Sequence, residues 1–192
     1  MRKTCLAVAM MTAVSVPVVV KAAEQYTIDP AHTYPHFAIS HLGFSTMHGR
    51  FDKTEGALTI DWAKKTGSVD VKIDAASVDT GFAKRDDHLR SPDFLNAAEF
   101  PSITYKSTKV VLAADNKSAT VEGNLTMVGV TKPVTLKIDR ISCGDHPMKK
   151  GAYVCGFDAS GKIRRSDFGV SYALPAVGDD MVLSFEVEAE RK

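Results

Sequence analysis

The strongest constraint on this chain is an alternation of apolar and polar residues with a period of two. Val69, Val71 and Ile73 alternate with Asp70, Lys72 and Asp74. Val121, Leu125 and Met127 alternate with Glu122, Asn124 and Thr126, and Val134, Leu136 and Ile138 with Thr135, Lys137 and Asp139. Near the end, Leu183, Phe185 and Val187 alternate with Ser184, Glu186 and Glu188. Successive side chains of a strand point to opposite faces, so each run has one apolar and one polar face. Antiparallel sheets with one solvated face carry this pattern; parallel sheets buried on both faces do not. Turn signals divide the runs: residues 129–133 as a hairpin, residues 145–151 with Pro147 inside, and Gly178-Asp179-Asp180 leading into the last strand. The total is about eight strands, the number of a small closed barrel or a sandwich.

One stretch departs from the pattern. Residues 81–96 are rich in charge and helix formers, and Ser91-Pro92-Asp93 reads as a helix start with Ser91 as N-cap and Asn96 as a stop. The expectation is one or two short helices inserted between strands, covering one end of the barrel.

The N-terminus reads as an address. Arg2 and Lys3 precede an apolar run from Leu6 to Val20, and the small residues Ala22 and Ala23 follow. That order is a secretory signal peptide over residues 1–22, cleaved after Ala22, with one domain over residues 23–192. The run is short for a spanning helix, which needs about 20 residues. The leader removes Arg2, Lys3 and Lys21 and no acid, so the 23 acidic residues come to slightly outnumber the bases. No basic stripe calls for a nucleic-acid partner. Cys5 lies in the leader, which leaves Cys143 and Cys155. In an oxidising compartment such a pair suggests a disulfide. Parity opposes it, because Cys143 follows the polar face of Lys137 and Asp139 while Cys155 follows the apolar face of Phe157. A bridge therefore needs loop ends or a bulge.

Secretion plus alternating strands also describes an outer-membrane barrel, whose outward face is apolar. The charges on the polar face and the helical insert favour a barrel with a wet outside. An eight-stranded interior is either filled by side chains or holds one slender ligand, and alternation alone does not decide between them.

Longer motifs are more specific. They are Ile28-Asp29-Pro30-Ala31-His32 with residues 37–43 and Gly49-Arg50-Phe51; Ser77-Val78-Asp79-Thr80 with residues 85–96 and Phe100-Pro101; residues 123–134; and Arg165-Ser166-Asp167-Phe168-Gly169. Together they resemble the YceI-like polyisoprenoid-binding family from about Tyr26 to the C-terminus. The resemblance implies an all-β, lipocalin-like antiparallel eight-stranded barrel. It also implies a periplasmic location, and a polyisoprenoid or isoprenoid quinone held in an apolar tunnel. Family members are often homodimers, and some are linked to cytochrome b561-type membrane proteins.

The apolar parity names the candidate lining. From the first half come Phe37, Ile39, Phe44, Phe51, Val69, Val71 and Ile73. The middle contributes Phe94, Leu95, Ile103, Tyr105, Leu125 and Leu136, and the end Phe157, Phe168 and Tyr172. Arg85, His88 and Arg90 are candidates for a lipid head group, with helix ion pairing to Asp86, Asp87 or Asp93 as their competing role. No metal and no cofactor are expected. Four of the six histidines fall between His32 and His48, but Pro35 spoils a helical pair of His32 and His36, and His36 and His41 have opposite parity. No nucleophile elbow, phosphate loop or dinucleotide fingerprint is present, so a binding protein is expected rather than an enzyme. Two other readings stand beside the carrier: an envelope-stress module that binds protein without lipid, and a metal-dependent hydrolase using the histidine cluster.

Overall fold

The computed structural model describes residues 22–192. The expected leader lies outside the described residues apart from Ala22. Eleven strands form one antiparallel sheet, with a single α-helix, α1 (Ala83–Arg90), inserted among them. The strands are β1 (Glu24–Ile28), β2 (Tyr34–His41), β3 (Ser45–Phe51), β4 (Thr54–Asp61), β5 (Thr66–Asp74) and β6 (Val78–Asp79). After α1 come β7 (Ser102–Leu112), β8 (Ala119–Met127), β9 (Val130–Asp145), β10 (Tyr153–Arg164) and β11 (Val177–Arg191).

Eight of these close a barrel, in the order β1-β4-β5-β7-β8-β9-β10-β11 and back to β1. Closure removes the exposed edges that an open sheet would present. The other three, β2, β3 and β6, extend from β11 as a flap. β1 and β2 act as one broken strand along the same edge of β11: Ile28 pairs with Ala189, and Tyr34 with Glu186. At the break, Glu188 N donates to Thr33 Oγ1 at 3.1 Å, and Asp29 N donates to Glu188 O at 2.8 Å. A threonine hydroxyl thus replaces a missing ladder partner.

Parity is resolved in favour of a wet outside. Val69, Val71 and Ile73 face the interior, while Asp70 and Lys72 are more than half exposed. Cross-strand ion pairs such as Lys72–Glu55 (3.0 Å) and Lys106–Asp70 (3.4 Å) cover the outside. No helix among the described residues is long and apolar enough to cross a membrane.

Two local expectations are corrected and one is met. The hairpin expected over residues 129–133 is only the two-residue turn Val128-Gly129, both with positive φ (49° and 73°), and residues 131–133 already belong to β9. Paired positive φ values match the twist of the flanking strands. Ser91 ends α1 rather than starting a second helix: its N–H bonds to His88 O, and residues 92–95 form a turn closed by Asn96 at φ 44°. Ser91 Oγ does accept from Asp93 N at 3.3 Å, but no helical ladder follows. Third, the opposite parity of the cysteines is overcome by a β-bulge. Asp158 pairs with Arg140 but Ala159 pairs with Ile138, so Asp139 has no register partner on β10. The extra residue shifts the phase, Cys143 lands opposite Cys155, and the two form a disulfide.

Candidate functional site: an apolar chamber in the barrel

The interior holds a chamber in two adjacent lobes, with cavity volumes of about 140 Å³ and 150 Å³. Pro35, Ile73, Leu125, Leu183 and Phe185 line both lobes. The first lobe lies within the closed barrel. Val69 and Val71 of β5, Leu136 and Ile138 of β9, and Phe157 of β10 form part of its wall. Tyr105 is the sole ionisable side chain that lines it, and the phenol donates to Val121 O (3.1 Å) and Val134 O (3.0 Å). Burial, and then the charge of Glu122, push this phenol up to about 12, so it stays neutral. The first lobe therefore has a neutral and largely apolar lining.

The second lobe lies under the flap and α1. Phe37, Ile39 and Phe51 of β2 and β3 line it, with Leu89 of α1 and Phe94 and Leu95 just beyond. Gly49 leaves room for the Phe37 ring, which would have to move if a Cβ stood 2.3 Å from it. Arg165 borders this lobe and is 2 % exposed. Its guanidinium donates to Gly178 O (2.7 Å), Val170 O (3.0 Å) and Val177 O (2.9 Å). The side chain thus ties the segment between the short 3-10 turn at Arg165–Phe168 and β11 to the barrel wall.

Of the sixteen lining candidates, the structure brings thirteen to the chamber. Seven reach the first lobe: Val69, Val71, Ile73, Tyr105, Leu125, Leu136 and Phe157. Six more reach the second: Phe37, Ile39, Phe51, Phe94, Leu95 and Ile103. Three lie elsewhere. Phe44 is at the β2–β3 turn and 89 % exposed. Tyr172 is about half exposed and stacks edgewise on Phe94 and His88. Phe168 is buried in the 3-10 turn, away from both lobes. All three fall in turns, where strand parity carries no information.

The head-group candidates are held by the protein itself. Arg85 donates to Thr80 Oγ1 and Thr80 O, both at 2.7 Å. Arg90 donates to Ala76 O (2.7 Å), Val78 O (3.0 Å) and Asp87 (3.0 Å), and His88 pairs with Asp93 at 2.9 Å. Together they fasten α1 over the second lobe. Sequence reasoning left out the walls from β1, β4 and β11: Ile28, Leu58, Ile60, Leu183, Phe185 and Val187. The alternation of β11 was visible and would have found the last three.

The histidines do not assemble. His32 pairs with Asp29 (2.8 Å), and His36 with Glu186 (2.6 Å). Among the described residues, Asp29, His32 and Glu188 alone bring three potential metal-ligand atoms within 4.8 Å of one another. The Asp29–His32 hydrogen bond already occupies one imidazole nitrogen.

A closed antiparallel barrel around an apolar chamber defines a lipocalin-like architecture. The model of the YceI-like domain matches residues 26–189, so the chain belongs to the YceI-like family. A UPF0312 protein of Pseudomonas aeruginosa is 41 % identical over 197 residues, covering 100 % of both chains. The crystal structure of the Campylobacter jejuni YCEI protein has a TM-score of 0.70 and 34 % identity, covering 80 % of this chain and 90 % of that one. A polyisoprenoid-binding domain from Saccharophagus degradans, at 17 % identity and TM-score 0.61, covers 87 % and 98 % and shares the fold.

Proposed function

We propose that this chain is a periplasmic carrier for a long, uncharged isoprenoid or isoprenoid-quinone lipid held in the barrel. The observation that carries the reading is the chamber: two adjacent lobes that share five lining residues, apolar almost throughout, with the one ionisable group of the first lobe kept neutral. An isoprenoid tail offers methyl, methylene and vinyl groups, and it needs a dry lining rather than hydrogen-bond partners. Burying ten such carbons gains about 8 kcal/mol before the cost of ordering the tail. The S. degradans neighbour, whose domain is described as polyisoprenoid-binding, supports the ligand class. The charged, apolar and small-residue order of residues 1–22 supports export.

Native mass spectrometry followed by organic extraction tests the reading. The expected result is a stoichiometric apolar lipid, or uptake of a polyprenol offered in detergent. Protein that carries no lipid and takes up none would overturn it.

A further inference from the structure

The barrel end where β2 finishes and β11 begins differs from the rest of the surface. Leu42 N donates to Ala176 O at 2.6 Å, which joins the β2–β3 turn to residues 169–176. Tyr172 stacks on Phe94 and His88, which joins that segment to the turn after α1. Four of the eight exposed large hydrophobic residues among those described sit here: Leu42 (52 %), Phe44 (89 %), Tyr172 (48 %) and Leu174 (36 %). Scattered apolar residues on a surface need no explanation, but a group at one end marks an interaction site.

The same two segments carry no Asp, Glu, Lys or Arg. Residues 37–49 read FAISHLGFSTMHG and residues 169–178 read GVSYALPAVG, in a chain that is 24 % charged. They also border the chamber, since Ile39, Val170 and Val177 line the second lobe. A bilayer interface penalises buried charge and rewards apolar tips, and these two segments bring the tips without charge, while the charges of α1 stand beside them.

We propose that these two uncharged segments dock the barrel on a lipid bilayer, with Leu42 and Phe44 entering the headgroup region. The inference rests on the chamber being a lipid site. It removes the step in which an isoprenoid tail would cross water.

Flotation of the mature chain with mixed phosphatidylethanolamine–phosphatidylglycerol vesicles tests it. Phe44→Glu is expected to lower vesicle partitioning about tenfold or more. Met148→Glu is the control. Met148 is equally exposed, at 89 %, but sits in the β9–β10 turn at the opposite end, where the neighbouring Lys149 pairs with Glu190 of β11. That variant should float like the wild type. No flotation of the wild type, no effect of Phe44→Glu, or an equal loss in both variants would overturn the proposal. So would a wild-type dimer that ignores vesicles and that Phe44→Glu converts to monomer, which would assign this end to a second copy. Polyprenol uptake from detergent is measured in parallel. Uptake without flotation overturns the docking alone, and absence of uptake overturns the carrier reading and the docking with it.

Discussion

Ile138 and Ile141 stand three residues apart on β9, yet both face the first lobe of the chamber. Strand parity would put them on opposite faces. The bulge at Asp139 removes the conflict: Ile138 pairs with Ala159, Ile141 pairs with Phe157, and Asp139 and Arg140 both remain exposed. The same phase shift carries Cys143 to Cys155. The bulge therefore lets one long strand both line the chamber and form a covalent link.

Reduction of that link gives the first prediction. The bridge closes a loop with a sequence separation of 12 residues. In the chain-entropy model a loop of this size contributes about 3 kcal/mol. Urea unfolding with and without a reductant should show a loss of that order in the midpoint. Cys143→Ala with Cys155→Ala should reproduce it and should no longer respond to reductant.

The strands and the charged outside were legible in the sequence because period-two alternation is a local property of the backbone. Thirteen of the lining candidates reach the chamber for the same reason. What stayed hidden was non-local. The break between β1 and β2 depends on Glu188, more than 150 residues away, accepting and donating at Asp29 and Thr33. The bulge depends on how β9 lies against β10. Ser91 carried the right residue type for a cap, but residues 92–95 turn back under Asn96 instead of extending a ladder. Arg165 appeared only inside a family motif, and nothing in its neighbours announced a buried cation.

Thr54 gives a prediction of opposite sign. It is 4 % exposed, and its hydroxyl has no hydrogen-bond partner among the described residues. Leaving a buried hydroxyl unpaired costs about 1–3 kcal/mol. Thr54→Val keeps the branched shape and removes the orphan group. The variant should be more stable by about 1 kcal/mol. At this chain length that is an increase of roughly 2–4 °C in Tm, readable by calorimetry.

Arg165 should be among the least replaceable residues. Its three carbonyl partners belong to residues 170–178, and each loses a guanidinium hydrogen bond if the side chain is replaced. Burial pulls its basicity down, while the charge of Asp179 partly offsets that. Arg165→Met should cost about 3 kcal/mol or more. Arg164→Met is the comparison. Arg164 is 59 % exposed and pairs with Asp167 at the surface, so its removal should change the unfolding midpoint little. Equal losses at the two positions would contradict the assignment of Arg165 as the anchor of this segment.

Two clusters contribute to the pH profile from opposite sides. Asp179 accepts from Ser166 Oγ (2.7 Å) and Ser166 N (2.8 Å), and these bonds, the side-chain one first, hold its carboxyl below the ordinary value of 3.8. Its contribution is present above that value and is lost as pH falls through the lowered one. His32 is raised above 6.5, first by its hydrogen bond to Asp29 and then by that residue's charge, with Glu188 adding to it. Its contribution is complete below 6.5 and is lost as pH rises through the raised value. Asp29 is lowered in turn, chiefly by the same hydrogen bond, so the pair is intact between its acid and histidine limits. Calorimetry across pH should show Tm declining on both sides of this window. His32→Asn should flatten the alkaline limb and leave the Asp179 part of the acid limb, while Asp179→Asn should weaken the acid limb and leave the alkaline one. An alkaline decline that survives His32→Asn would assign that limb to another group.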